Sequence, residues 1–370
     1  MIRILHSVSY MHRAGVETFL MNYYRNIDRA VLQFDFLCGK QKAGDYDDEI
    51  RALGGRIFYR PGLGTLREED YTAFWRTFVQ EHPEIRIVHT HNGAKQWFPL
   101  EGAKQGGLPI RIAHAHSTDF VRDEKYLRRL ELIRKIPSAA NVFFGCSNQA
   151  GAFFFGEEQW RKKGILVRNA IPCQEFSFCP KTRSALRASL GIDHCFVIGH
   201  VGRFAEQKNH MRLLEIFRAV CQENPDSLLL LIGSGDLEEK IRKRAAELGI
   251  SDRVQFCGEQ ADMPGWYQVM DVFVMPSLFE GLTLSGIEAQ AAGLPCVFSD
   301  VVSPETKLTD DVSFLSLEAE DSLWRDEILR YRTHCRKDTS AMIRQAGYDI
   351  CEEAGRLQSM YCKLVEMQGL

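Results

Sequence analysis

The sequence has no apolar run approaching the ~20 residues that a bilayer span requires, so no segment is read as crossing a membrane. It has no CxxC pair. Its eleven cysteines are scattered, several within apolar strand-like runs. They read as reduced, mostly buried thiols of a cytosolic protein and not as a disulfide framework. Without a charged n-region, the opening Met1-Ile2-Arg3-Ile4-Leu5-His6-Ser7-Val8 reads as a first core strand and not as a signal peptide. Nor is there a basic excess. A formal net charge of -3 gives no overall positive field of the kind that gathers nucleic acid, so any bound anion must meet a local site. Low-complexity tracts and fixed-period repeats are absent as well. The class left is a cytoplasmic globular protein, with membrane contact only at its surface.

What is present is an alternation of short apolar runs with longer amphipathic ones, over 370 residues that are 45% hydrophobic and 26% charged. That length suits two domains of ~100–200 residues each. The rhythm is that of parallel sheets with crossover helices. In the first half it predicts strands near 2–8, 33–38, 56–59, 86–89, 110–114, 142–146 and 165–168, with helices such as 16–27, 69–80 and 122–135. The stretch 171–180 has no clear period and ends on Pro180, so it reads as a linker between a domain over 1–170 and another over 181–344. In the second domain strands are predicted near 196–201, 227–232, 253–257, 271–275 and 295–298, and helices near 209–222, 236–248 and 284–292. The final stretch, roughly Ser340 to Met367, is helical in pattern and is expected to pack across the domain junction, with about 345–370 returning to the first domain. The fold class predicted is α/β, with two Rossmann-like doubly wound domains facing a central cleft.

In open parallel sheets ligands bind beyond the carboxyl ends of the strands, so the loops that follow them are the informative residues. Gly202-Arg203-Phe204-Ala205-Glu206-Gln207-Lys208-Asn209-His210 puts two permanent cations five residues apart before a helix, where free amides already favour anions. A diphosphate fits that loop; the plain alternative is a solvated loop pairing with surface carboxylates. Gly233-Ser234-Gly235 is a Gly-rich turn without the last glycine of GxGxxG, and a tight strand-to-helix turn explains it as well. Pro276 to Ala289 carries the strongest pattern. Glu280 sits in the loop, Gly281 is expected to allow an unusual backbone turn, and Thr283 is expected to cap the next helix. The amides of Gly281, Leu282, Thr283 and Leu284 then face a sugar or phosphate. Glu288 lies a turn further on, and the two carboxylates, which only accept hydrogen bonds, suit vicinal hydroxyls.

In the first domain Gly15 opens a helix aimed at the cleft. Alternation makes His114 the sheathed residue and His116 the one at the mouth, with His91 a similar acceptor-side candidate. Residues 122–135 form a basic amphipathic stretch, either a solvated face or a patch for anionic lipid.

At these residues the chain resembles the large retaining glycosyltransferase family with the GT-B fold, often called glycosyltransferase family 4, which includes bacterial capsule, exopolysaccharide and lipopolysaccharide sugar transferases. The resemblance spans nearly the whole chain. It rests on Gly202, Arg203 and Lys208, on Pro276, Ser277, Glu280 and Gly281, on the Glu280–Glu288 pair, and on Val167-Arg168-Asn169-Ala170-Ile171 as a hinge. It implies that Arg203 and Lys208 hold the donor diphosphate, Glu288 the ribose, and Glu280 with its neighbouring amides the transferred sugar. His116 would touch that sugar, and the Gly15 loop would cover the phosphates. Many relatives have two adjacent glycines there, whereas Ala14 precedes Gly15 here. The function expected is transfer of a hexose from a nucleotide-diphosphate donor, with a uracil base, to a saccharide or lipid-linked acceptor in cell-surface polysaccharide synthesis. No acidic pair of the DxD kind occupies a strand end, so no metal and no cofactor are expected. The alternatives are a nucleotide-sugar epimerase or hydrolase on the same frame, and a non-catalytic nucleotide-binding protein.

Overall fold

A computed structural model describes residues 1–60 and 67–369. The chain divides into two compact units, Met1–Ala170 with Ile350–Leu370, and Ile171–Asp349. Each is built on a sheet whose strands all pair in parallel.

The first unit contains β1 (Ile2–Val8), β2 (Leu32–Cys38), β3 (Ile57–Tyr59), β4 (Ile85–Thr90), β5 (Ile110–Ala115), β6 (Val142–Gly145) and β7 (Gly164–Leu166), in the order β3-β2-β1-β4-β5-β6-β7. The second contains β8 (Phe196–Val201), β9 (Ser227–Ile232), β10 (Val254–Gly258), β11 (Val272–Met275), β12 (Cys296–Ser299) and β13 (Val312–Leu315), in the order β10-β9-β8-β11-β12-β13. Both orders reverse direction once, between β1 and β4 and between β8 and β11. Those are the switch points at which doubly wound sheets open a crevice at their carboxyl ends.

The pattern that makes these elements is direct. In the second unit Leu213, Leu214, Phe217, Val220 and Cys221 recur at helical spacing along His210–Glu223. They are buried against Ile198, Leu229, Leu231 and Val274 of the sheet. Trp324, on Asp321–Leu329, is fully buried in the same core.

Five expectations are corrected. The stretch 171–180 is not structureless: it carries a one-turn helix, Cys173–Phe176, and belongs to the second unit. The basic helix runs Tyr126–Ala139, so Arg122 lies before it. β13 was not foreseen, because Val312-Ser313-Phe314-Leu315 is too short to show a period. Last, the C-terminal helical pattern breaks in two. Ser340–Gln345 ends in a turn whose Gly347 has φ +85°, and Ile350–Glu366 then packs on the helix Gly15–Asn26 of the first unit. Nor are the thiols mostly buried. Cys38, Cys146, Cys173, Cys221 and Cys296 are, while Cys179, Cys195, Cys257, Cys335, Cys351 and Cys362 are at least partly accessible.

Among the described residues no helix is long and apolar enough to cross a membrane.

The last helix buries Ile350, Ala354, Leu357, Tyr361 and Val365. Burying each large apolar side chain stabilises by ~1.5–3 kcal/mol. A chain ending at Asp349 should therefore lose the first unit's cooperative melting transition while the second unit keeps its own, as read by hydrogen exchange; protected amides persisting across β1, β4 and β5 would contradict this.

Candidate functional site

In the second unit the loop after β8 and the loop after β11 flank the switch point. They are tied together by Gln207, whose carbonyl accepts from the Leu278 amide (2.8 Å) and whose Nε2 donates to the Phe279 carbonyl (3.0 Å). Lys208 Nζ lies 2.8 Å from Glu280 Oε1, with 14% and 9% of the two side chains exposed. Gly202 makes this reach possible. A Cβ there would stand 2.8 Å from Lys208 Cε and 3.0 Å from Cδ, so the lysine stem crosses the space that a side chain would fill. Arg203 is exposed and has no carboxylate partner among the described residues.

The Gly233 turn packs behind this loop. The Phe204 amide donates to the Ser234 carbonyl (2.8 Å). Gly233 has φ +136°, and a Cβ on it would come within 2.2 Å of the Gly202 carbonyl oxygen. Its glycine is thus required by the close approach of two backbones. Asn209 takes the left-handed φ of 53° that carries the chain from Lys208 into the next helix.

The segment after Glu280 differs from expectation at two residues. Gly281 is not among the glycines with positive φ, so it supplies no left-handed turn. Thr283 occupies the N-cap position of the helix Leu284–Ala291 without capping it: its hydroxyl meets Ser285 Oγ at 2.9 Å. The amides of Leu284, Ser285 and Gly286 consequently have no acceptor among the described residues. Such helix-start donors suit an anion or sugar oxygen. Leu282 is buried beside them.

Glu288 is buried on that helix and accepts from the Tyr267 hydroxyl at 2.8 Å. Burial pushes its carboxyl up to about 7, against which the Tyr267 hydrogen bond acts in the opposite direction. The sequence reading missed Tyr267 and Gln207. Neither sits in a motif; each matters only through a partner far along the chain. It also missed the buried pair His200 and His210 behind Lys208, whose rings meet edge to face at 4.8 Å.

In the first unit Gly15 is the first residue of Gly15–Asn26, and nothing lies within 4 Å of a Cβ built on it. The preceding Ala14 is extended (φ -136°), a conformation open to any residue, so a second glycine is not needed here. His116 follows β5 and is half-buried; His91 follows β4 and is buried. The structure brings both into a cluster with His6, His89 and His114, which strand positions alone did not reveal. His91 Nδ1 lies 2.9 Å from His116 Nε2, and His91 Nε2 lies 3.1 Å from His6 Nδ1. Ring nitrogens of His6, His89 and His91, and of His91, His114 and His116, lie within 4.8 Å of one another, close enough to hold a metal ion. Separations of 2.9–3.1 Å are those of shared protons, which a metal would displace.

The cations of the basic helix are partly matched. Arg128 pairs with Glu68, Arg129 with Asp123, and Lys135 lies over Trp97.

Two doubly wound units, one of them with a paired lysine and glutamate and an open arginine at its switch point, make the GT-B architecture of sugar transferases. Residues 195–330 match the family model described as Glycosyl transferases group 1. The chain is 34% identical over 371 residues to EpsF of Bacillus subtilis (strain 168), named as a glycosyltransferase, with 97% of this chain and 96% of that one covered. It is 25% identical over 387 residues to the UDP-Gal:alpha-D-GlcNAc-diphosphoundecaprenol alpha-1,3-galactosyltransferase of Escherichia coli, covering 98% and 97%. Its fold is similar to that of Anabaena HepE in complex with UDP and glucose, at a TM-score of 0.80 and 16% identity over 98% of this chain and 100% of that one. The chain belongs to the group 1 glycosyltransferase family, and it is a glycosyltransferase.

The Glu288 carboxyl generates a prediction. With an ordinary value of 4.5 raised to about 7, the folded state keeps a proton that the unfolded chain releases. This contribution to stability is full below 4.5 and is lost as pH rises to 7. Glu288→Gln, which copies the protonated shape, should match the wild-type unfolding free energy near pH 4.5 and exceed it at pH 8 by about 1–3 kcal/mol. Equal melting at pH 8 would mean that the buried carboxylate ionises without penalty.

Proposed function

We propose that this glycosyltransferase moves a hexose from a UDP-sugar to a saccharide or lipid-linked acceptor, with retention of anomeric configuration and without a metal, in cell-surface polysaccharide synthesis at the cytoplasmic face of the membrane. The observation that carries the reading is the Lys208–Glu280 pair beside the open Arg203 at the β8–β11 switch point. The Escherichia coli relative's name supplies the kind of donor and acceptor, a UDP-sugar and a diphosphoundecaprenol-linked saccharide. HepE was solved with UDP and glucose and with UDP-glucose.

Arg203 and Lys208 take the diphosphate. Cleavage of the anomeric bond leaves negative charge on the departing nucleotide, and fixed cations stabilise that charge more in the transition state than in the ground state. Lys208 also stands between the phosphates and Glu280, whose repulsion it offsets. Glu280 and the amides from Gly281 to Ser285 hold the transferred sugar, while Glu288 accepts from the ribose hydroxyls. Gly202 and Gly233 shape the loop that carries the cations. In the first unit Gly15 starts a helix that favours the phosphates, His116 is assigned to a sugar hydroxyl, and His91 to the acceptor side. Residues 122–135 are the assigned peripheral membrane contact.

Arg203 offers the clean test, because it is exposed and holds no carboxylate. Arg203→Ala should leave the unfolding free energy within the ~0.5 kcal/mol typical of surface changes yet slow transfer ten- to hundredfold, as expected from losing a charge-assisted contact of ~1.5–3 kcal/mol. Near wild-type turnover of UDP-sugars by this variant would sink the assignment. Transfer should persist in EDTA, and product NMR should show the donor's anomeric configuration. Consumption of donor without acceptor would favour an epimerase or hydrolase instead.

A further inference from the structure

Five histidines of the first unit, His6 on β1, His89 and His91 at β4, and His114 and His116 at β5, form two strings of imidazoles. One runs His6 Nδ1 to His91 Nε2 (3.1 Å) and His91 Nδ1 to His116 Nε2 (2.9 Å). The other runs Tyr361 hydroxyl to His89 Nδ1 (2.7 Å) and His89 Nε2 to His114 Nδ1 (3.1 Å). The strings touch by stacking, His114 on His116 with centroids 4.0 Å apart. Only the first reaches His116 through hydrogen bonds. Burial lowers all five imidazoles well below their ordinary range, His6 and His116 to about 3, so each ring is neutral near pH 7 and carries one N–H and one lone pair.

Neutrality turns the first string into a directional device. Each N···N contact needs one proton, and His91 uses both ring nitrogens, so it donates on one side and accepts on the other. The string therefore runs in one of two senses. Running outward, His6 donates from Nδ1, His91 donates from Nδ1, and His116 accepts at Nε2. Running inward, His116 donates from Nε2 and the last proton ends on His6 Nε2. That atom is sealed in the core with no partner, beside the rings of Phe34 and Phe36. The inward sense would orphan a buried N–H, a rare defect in folded proteins, whereas the outward sense leaves only an unused lone pair.

We propose that His6 and His91 are positioning residues that fix His116 as the Nδ1–H tautomer, so that His116 offers its substrate an N–H donor and not a lone pair. Nδ1 of His116 makes no hydrogen bond among the described residues and is not one of the sealed nitrogens, so it is the end at which the string meets a ligand. This rests on the assignment of His116 to a sugar hydroxyl, and it adds that the substrate oxygen there accepts. The second string ends on the sealed Nε2 of His114 and presents nothing outward.

The test is two-bond ¹H–¹⁵N NMR on the full chain with ¹⁵N-labelled histidine, at neutral pH and without ligand, with His116 resonances assigned from the His116→Gln spectrum. The expected pattern is a protonated Nδ1 on His6, His91 and His116. A protonated Nε2 on His116, or an exchange-averaged pair, overturns the proposal. In His91→Phe the His116 pattern should change to Nε2–H or to averaging, and kcat should fall about tenfold, the worth of one hydrogen bond, with KM for UDP-sugar within twofold. His6→Leu, which removes the first donor, serves if His91→Phe does not fold. An unchanged His116 pattern in a folded variant also overturns it. Because the NMR needs no turnover, its result stands apart from whether UDP-sugars are the substrates.

Discussion

Glu280 is a carboxylate with only 9% of its side chain exposed, and Lys208 Nζ at 2.8 Å is its ion-pair partner. A nearly buried charge of this kind is tolerated only when it is paired, and removing one partner of such a pair costs about 3–5 kcal/mol. Much of the local backbone follows from keeping the two together. Gly202 clears the path of the lysine stem, Gly233 lets the next turn come against the Gly202 carbonyl, and Asn209 accepts a left-handed φ directly after Lys208. Gln207 then fastens the lysine loop to the Leu278–Phe279 segment that leads to Glu280. All four of these residues are uncharged, yet the geometry of the cation depends on them.

The same unit divides its charges by depth. Arg203 stays in solvent with no carboxylate partner among the described residues, while Lys208 and Glu280 neutralise each other at intermediate depth. Glu288 is enclosed with Tyr267, where burial raises its carboxyl to about 7. A carboxylate accepts hydrogen bonds from hydroxyl donors more strongly when it is ionised, and at Glu288 burial works against that ionisation. The first unit solves its own enclosure differently. It encloses four uncharged imidazoles and half-buries a fifth, His116, all of which partner one another, with Tyr361 from the last helix closing one string.

Much of this was legible without coordinates, because strands and loops announce themselves locally. The strand runs of both units, the switch-point loops after β8 and β11, and the residues Arg203, Lys208, Glu280 and Glu288 follow from apolar periodicity and from which residue types follow each run. Short elements were lost where the period was too brief to read, as at β13, or where a turn interrupted a helical pattern, as at Gly347. Thr283 misled for a different reason. Its position is that of a cap, but a nearby hydroxyl, Ser285, competed for the side chain and left the helix amides open.

By itself the sequence determined the fold class, the order of the strands along the chain and the chemical types gathered at the loops, since each depends on residues within a few positions of one another. Only the tertiary structure decided which side chains answer each other across long separations: Tyr267 to Glu288, Gln207 to the Phe279 carbonyl, Tyr361 to His89, and His6 through His91 to His116. Burial, tautomer and protonation are set by those partners. Strand pairing and the packing of helices on the sheets bring them together from positions up to 272 residues apart, a distance over which local periodicity carries no information.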